Sequence, residues 1–198
     1  MRYERRTLSL IALSILVLLP ATHGTSSAQE SARAFDTLTV QLRATVNVNR
    51  NTFHRYWDPG PGLEFNVQTP LNIGKLEAGL HYSGFDGKRA EQPDFNAFFP
   101  YLGWGYDAAL SNRLSWYNGV RAGSFFMRFD IDEENRTEQE LGLGLVSLLS
   151  YRLGGAWSLD VSARYRVVFT HERLRFVYLA VGLGRAFAAP AWLKDLLE

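Results

Sequence analysis

Two groups of residues in this sequence could do chemistry. His81-Tyr82-Ser83 places an imidazole and a hydroxyl two residues apart. On an extended strand that spacing sets them side by side on one face, as a serine nucleophile and its histidine base require. A carboxylate to orient the histidine would come from Glu77, Glu91 or Asp94. The structural alternative is a polar pair at the rim of a sheet. The second group is Arg43, Glu64, Lys75, Glu77, Arg121, Asp160, Arg164 and Arg166, spread over several segments. If these charges share an interior they must pair, because an isolated buried ion is very costly. The spacing therefore predicts a polar network that fills an enclosed space, with a narrow ion or water path as the alternative.

Metal chemistry is poorly supplied. There is no cysteine, and the four histidines include His171, which sits beside Glu172 in the turn-like Thr170-His171-Glu172-Arg173. Adjacent ligands of that kind are too few for a dedicated site. Glu133, Glu134, Glu138 and Glu140 lack the spaced Asp/Asn–Gly pattern of a calcium loop. No metal and no cofactor is expected. A net charge of only +1 gives no reason to expect a nucleic-acid partner.

The elements that must hold these side chains are strands. Residues 157–169, WSLDVSARYRVVF, alternate Trp157, Leu159, Val161, Ala163, Tyr165, Val167 and Phe169 against Ser158, Asp160, Ser162, Arg164, Arg166 and Val168. A period of two puts the two sets on opposite faces of a sheet, one of them wholly apolar. The same pattern recurs over residues 38–48, 62–68, 75–83, 98–110, 114–126, 141–152 and 174–187, which makes eight strands. Each approaches or exceeds the roughly 9–11 residues with which a tilted strand crosses a bilayer. The connections run long, short, long, short, long, short, short. The long ones, 49–60, 84–96 and 130–139, would face outside together with the short last turn 170–173, the one exception to the scheme, and the other short ones would lie in the periplasm with both termini.

The ends of the chain fit export. Residues 1–28 read as a signal peptide, with Arg2, Arg5 and Arg6 before the apolar core 8–19 and Ser26-Ser27-Ala28 at the cleavage site. Residues 29–37 read as a periplasmic lead, 38–187 as the barrel, and 188–198 as a short tail that Pro190 could start as a helix.

Alternation alone does not say which face is outside, since a soluble lipocalin-like ligand-binding barrel has its apolar side inward. Two features favour lipid outside. The charged face holds most of the strand glycines, which suit a crowded interior and weaken an exposed strand. The aromatics of the apolar face also gather at strand ends: Trp104, Tyr106, Trp116, Tyr151 and Trp157 at one rim, Phe126 and Phe169 with Tyr82 and Phe98 at the other. Paired aromatic girdles are interfacial anchors. The expected fold is all-β: an eight-stranded antiparallel up-and-down transmembrane β-barrel.

With its last strand VYLAVGLGRAF over residues 177–187, the chain resembles the small eight-stranded outer-membrane barrels of the OmpA transmembrane-domain and OmpX type. The resemblance implies a Gram-negative outer membrane, contact with its lipids including lipopolysaccharide, and recognition by the barrel-assembly machinery during insertion. The three long loops, facing outside, suit a structural or surface-interaction role with an unknown surface ligand. His81-Tyr82-Ser83 is similar to the His-x-Ser of the outer-membrane lipid A 3-O-deacylase family. That would make His81 the base and Ser83 the nucleophile of a lipid A-modifying hydrolase. In that family the motif lies near the C-terminus; here it is in the third strand.

Overall fold

The computed structural model describes residues 34–130 and 136–190. The expected signal peptide and most of the tail lie outside the described residues. The strands are β1 (Thr37–Asn47), β2 (Trp57–Pro70), β3 (Lys75–Gly87), β4 (Phe95–Ala109), β5 (Leu114–Phe129), β6 (Arg136–Gly154), β7 (Trp157–Val168) and β8 (Leu174–Ala188). Each pairs antiparallel with its neighbour, and β1 pairs with β8 to close the barrel. The seam runs without a break from Thr37↔Ala188 to Asn47↔Tyr178.

The two ends differ as the connections predicted. At one end lie both ends of the described sheet and the tight turns, where Gly74 (φ 77°) and Gly155 (φ 55°) take left-handed conformations that favour glycine. At the other end lie the longer loops. There the strands outrun the expected boundaries: β2 starts at Trp57, β3 ends at Gly87, β4 starts at Phe95, and β6 starts at Arg136. The first two loops shrink accordingly from 49–60 and 84–96 to 48–56 and 88–94, and β6 begins inside the expected loop 130–139. Glu138 and Glu140 are thus strand residues. The cause is pairing, which a loop-like composition does not reveal: Trp57↔Gly87 and Phe95↔Phe129 extend their ladders, and a register shift between Pro59 and Gly62 absorbs the prolines.

Leu42, Phe65, Leu80, Leu102, Val120, Leu145, Val161 and Leu183 stand outward and exposed around the circumference. Leu145 is 57% exposed and Val161 51%. A predominantly apolar exterior on a closed sheet, broken by the facing pair Asn118 and Ser147, is the surface of a membrane-spanning barrel. It reverses the lipocalin-like arrangement. The aromatic rims also stand where expected. Trp104 and Tyr106 meet edge to face at 4.7 Å, Trp116 Nε1 donates to Ser147 Oγ at 2.8 Å, and Tyr151 and Trp157 are exposed beside them. Towards the loop end, Phe126 lies opposite Phe98 in register, and Phe169 is 40% exposed.

Inside, glycines make room for long side chains. A Cβ at Gly182 would meet the Leu42 carbonyl oxygen and the Arg43 side chain, and one at Gly142 would meet the Phe99 ring. Val161→Arg should therefore cost about 2–4 kcal/mol, whereas Ile73→Arg in a rim turn should cost about 0–1. Urea unfolding in lipid vesicles measures both, and equal costs would refute the assigned depth.

Candidate functional site

The middle of the lumen is built around Glu64 of β2, which is fully buried. Its Oε2 lies 2.5 Å from Arg164 Nη1 and 3.2 Å from Arg121 Nη1; its Oε1 lies 3.5 Å from Arg43 Nη1. Arg121 also grips Glu77 with two parallel bonds, Nε to Oε1 at 2.7 Å and Nη2 to Oε2 at 2.9 Å. This fork geometry is the strong form of a carboxylate–guanidinium contact. Asn66 Nδ2 donates to Glu77 Oε2 at 3.1 Å and to Tyr101 Oη at 3.0 Å. Asp160 accepts from Gln41 Nε2 at 2.7 Å and from Ser158 Oγ at 3.0 Å, and Gln41 Oε1 in turn accepts from Arg43. Register explains the convergence: Arg43↔Glu64↔His81 and Arg43↔Gly182↔Asp160 are cross-strand neighbours.

Seven of the eight expected network residues therefore meet in the lumen. Lys75 does not. It pairs with Asp107 at 2.9 Å at the tight-turn rim, where both side chains are part-exposed. As the first residue of β3 it is inward in register but lies beyond the packed interior.

His81 and Ser83 are both inward and buried. Arg166 Nη1 lies 3.0 Å from His81 Nδ1. A guanidinium only donates, so Nδ1 is the acceptor, and Nε2 carries the proton that goes to Thr45 Oγ1 at 2.9 Å. Both ring nitrogens are thus engaged, neither of them with Ser83. Of the three carboxylates considered, Glu77 is held by Arg121, Asp94 accepts from the Gly87 amide at 2.6 Å, and Glu91 is exposed in the loop. The geometry does not bring a base, a nucleophile and an orienting acid together. His171 and Glu172 lie in an exposed turn, and no metal-binding cluster occurs among the described residues.

The lumen is not polar throughout. At the loop end Phe85, Phe95, Phe99, Phe125, Met127, Phe176 and Tyr178 form a buried apolar cluster. At the other end Tyr117, Val146 and Leu148 form a smaller one. The outer cluster exists because the strands continue past their expected ends and carry Phe85 and Phe95 on the inward face. Extending the alternation a few residues into the supposed loops would have found it.

A cap closes this end. Thr52–Arg55 is a single 3-10 turn with Asn51 as its N-cap. It drops Phe53 into the barrel mouth, stacked on Trp57 at 5.0 Å and edge-on to Phe85, Phe95 and Phe176. Polar ties hold the cap. Asn49 Nδ2 and Asn51 Nδ2 donate to Arg175 O, Asn49 Oδ1 accepts from Val177 N, and Trp57 Nε1 donates to Pro93 O. His54 Nδ1 lies 2.8 Å from Asn51 Oδ1 and 3.2 Å from the Asn51 amide nitrogen, and its Nε2 lies 2.8 Å from Asn47 Oδ1. The Asn51…His54 spacing was the sequence signal for this capping box.

Burial, reinforced by Arg50 and Lys88 and opposed by Asp58, holds the His54 imidazolium below histidine's ordinary 6.5. Folding favours neutral His54, so its contribution is complete above about pH 6.5 and falls away as pH drops below that. Amide exchange at Phe53 and Tyr56, corrected for intrinsic rate, should quicken between pH 7.5 and 5, and His54→Gln should flatten that dependence. In the lumen, Glu64→Gln weakens the partner of three guanidinium groups. It should cost about 3–5 kcal/mol in the same unfolding assay.

No protein-family model matches this chain, and no curated protein matches it in sequence. Solved structures do match in shape. The crystal structure of Neisserial surface protein A aligns over 76% of this chain and 97% of its own, at 17% identity and a TM-score of 0.58. The N-terminal β-barrel domain of Pseudomonas aeruginosa OprF aligns over 78% and 99%, at 8% identity and a TM-score of 0.53. The outer membrane protein OprG from Pseudomonas aeruginosa aligns over 79% and 98%, at 13% identity and a TM-score of 0.52. Together with the closed eight-stranded sheet, they show that this chain has the fold of the small outer-membrane β-barrels.

Proposed function

We propose that the chain is an exported outer-membrane barrel with a structural or surface-interaction role, its long loops turned to the outside. The observation that carries this reading is the packed lumen. Its centre is occupied by Arg43, Glu64, Glu77, Arg121 and Arg164, and its mouth by Phe53 and the aromatic cluster. With the interior filled and the flank given to lipid, the loop surface is what remains to meet a partner. Arg50, Arg128, Arg136 and Arg175 are exposed around that rim, where the phosphates of lipopolysaccharide would lie. The outward Val181, Leu183 and Phe187 of β8 suit the terminal-strand reading by the assembly machinery.

An epitope inserted after Ala90, exposed in the 88–94 loop, should bind antibody on intact cells and leave heat-modifiable gel mobility unchanged, since exposed loop tips tolerate insertion. Labelling only after the outer membrane is broken would overturn the orientation. Cells carrying Ser83→Ala should show the lipid A mass spectrum of the parent. A mass shift that depends on Ser83 would restore the hydrolase reading.

A further inference from the structure

Four guanidinium groups are buried in the lumen, on Arg43, Arg121, Arg164 and Arg166, against the three carboxylates of Glu64, Glu77 and Asp160. Arg43, Arg121 and Arg164 each pair with Glu64. Arg166 has no carboxylate within ion-pair distance among the described residues. Its hydrogen-bond acceptor is His81 Nδ1, and its guanidinium carbon lies 3.9 Å from the Phe99 ring centre, 5.3 Å from Tyr178 and 5.9 Å from Phe125. Ring faces attract a cation but do not neutralise it. Among the described residues, one buried guanidinium is therefore unmatched by a carboxylate, and it lies beneath the packed apolar cluster of the barrel mouth.

The outermost ring of that cluster comes from a single loop side chain, Phe53. Phe53 is bounded edge-on by Phe85, Phe95 and Phe176 at 5.3 to 6.0 Å and face-on by Trp57. Phe176 links the two levels, since its ring also lies 5.9 Å from Phe125 and from Tyr178. Phe53 belongs to a short 3-10 turn tied down by side-chain hydrogen bonds, whereas the walls belong to paired strands. A short turn held by side-chain bonds opens at lower cost than strands paired on both sides, so the stopper can leave while the walls stay.

We propose that the mouth of the barrel is a binding site for a small apolar carboxylate. Phe53 stands where the ligand's hydrocarbon body binds, and Arg166 is the partner of its carboxylate. The walls offer an aromatic-sized slot, and the floor offers one cation, which selects a monoanion and rejects an amine of the same shape. The wild-type chain competes with its own ligand, because the site is vacant only in the fraction of molecules whose cap is open. This goes beyond the surface-interaction role and does not depend on it.

The probe is 5-phenylpentanoate, whose stem can span one ring layer, titrated calorimetrically into the folded full chain in detergent micelles. 5-Phenylpentylamine serves as the charge-reversed control. Phe53→Ala should tighten phenylpentanoate binding by about tenfold or more by removing the competitor. Adding Arg166→Met to that variant should weaken it about tenfold or more through loss of a charge-assisted contact. Arg166→Met removes an unmatched buried cation and should keep heat-modifiable mobility, which verifies folding. Equal binding of acid and amine, an unchanged affinity in Phe53→Ala, or full affinity without Arg166 would each overturn the site.

Discussion

A peptide group in hydrocarbon has no water to fall back on, and that constraint governs everything else in this molecule. Each strand must find a partner on both sides, which a sheet achieves only by closing. The seam between β1 and β8 supplies the closure with a continuous register of paired residues. A gap there would expose two rows of unpaired amides and carbonyls to lipid, at several kcal/mol for each group. Loop composition and rim decoration are secondary to that requirement.

Closure with only eight strands leaves a lumen about as wide as the side chains that fill it. The chain fills it in two ways. In the central layer, charges are matched through Glu64 and Glu77, and glycines such as Gly182 yield space to Arg43. Towards the loops, aromatic rings take over. There the filling is apolar on both wall and stopper. Arg166 lies on the boundary, with rings around it and the charged layer beneath, and it shows that the two regimes are not sealed from each other.

Much of the architecture was legible because a two-residue period is an unambiguous signal. Parity alone separates Leu145, Val161 and Leu183 from Arg43, Glu64 and Arg121, and the strand glycines and aromatic rims tell which set faces outward. Parity does not reveal where pairing stops. Residues such as Phe85 and Phe95 lie among glycine, lysine and proline and look like loop, yet hydrogen bonds to neighbouring strands keep them in the sheet. Parity within the expected boundaries therefore predicts a lumen polar throughout and gives no sign of the aromatic cluster. Depth along the barrel was equally hidden, which is why Lys75 was grouped with residues far better buried than itself. Spacing alone also made His81 and Ser83 look like a dyad; only the positions of Arg166 and Thr45 show that the imidazole is already engaged.

The ties between the first loop and the last strand bear on the order of assembly. Asn49 and Asn51 belong to the segment that follows β1, and their partners are backbone groups of Arg175 and Val177 at the start of β8. Some 120 residues of chain separate them, so these bonds cannot form until the two ends of the sheet have met. Phe53 has Phe176 as one wall of its slot and is subject to the same condition. The mouth can seal only on a barrel that has already shut. A chain stalled with its seam open would present an unplugged aromatic interior, and the settling of the cap marks the end of assembly.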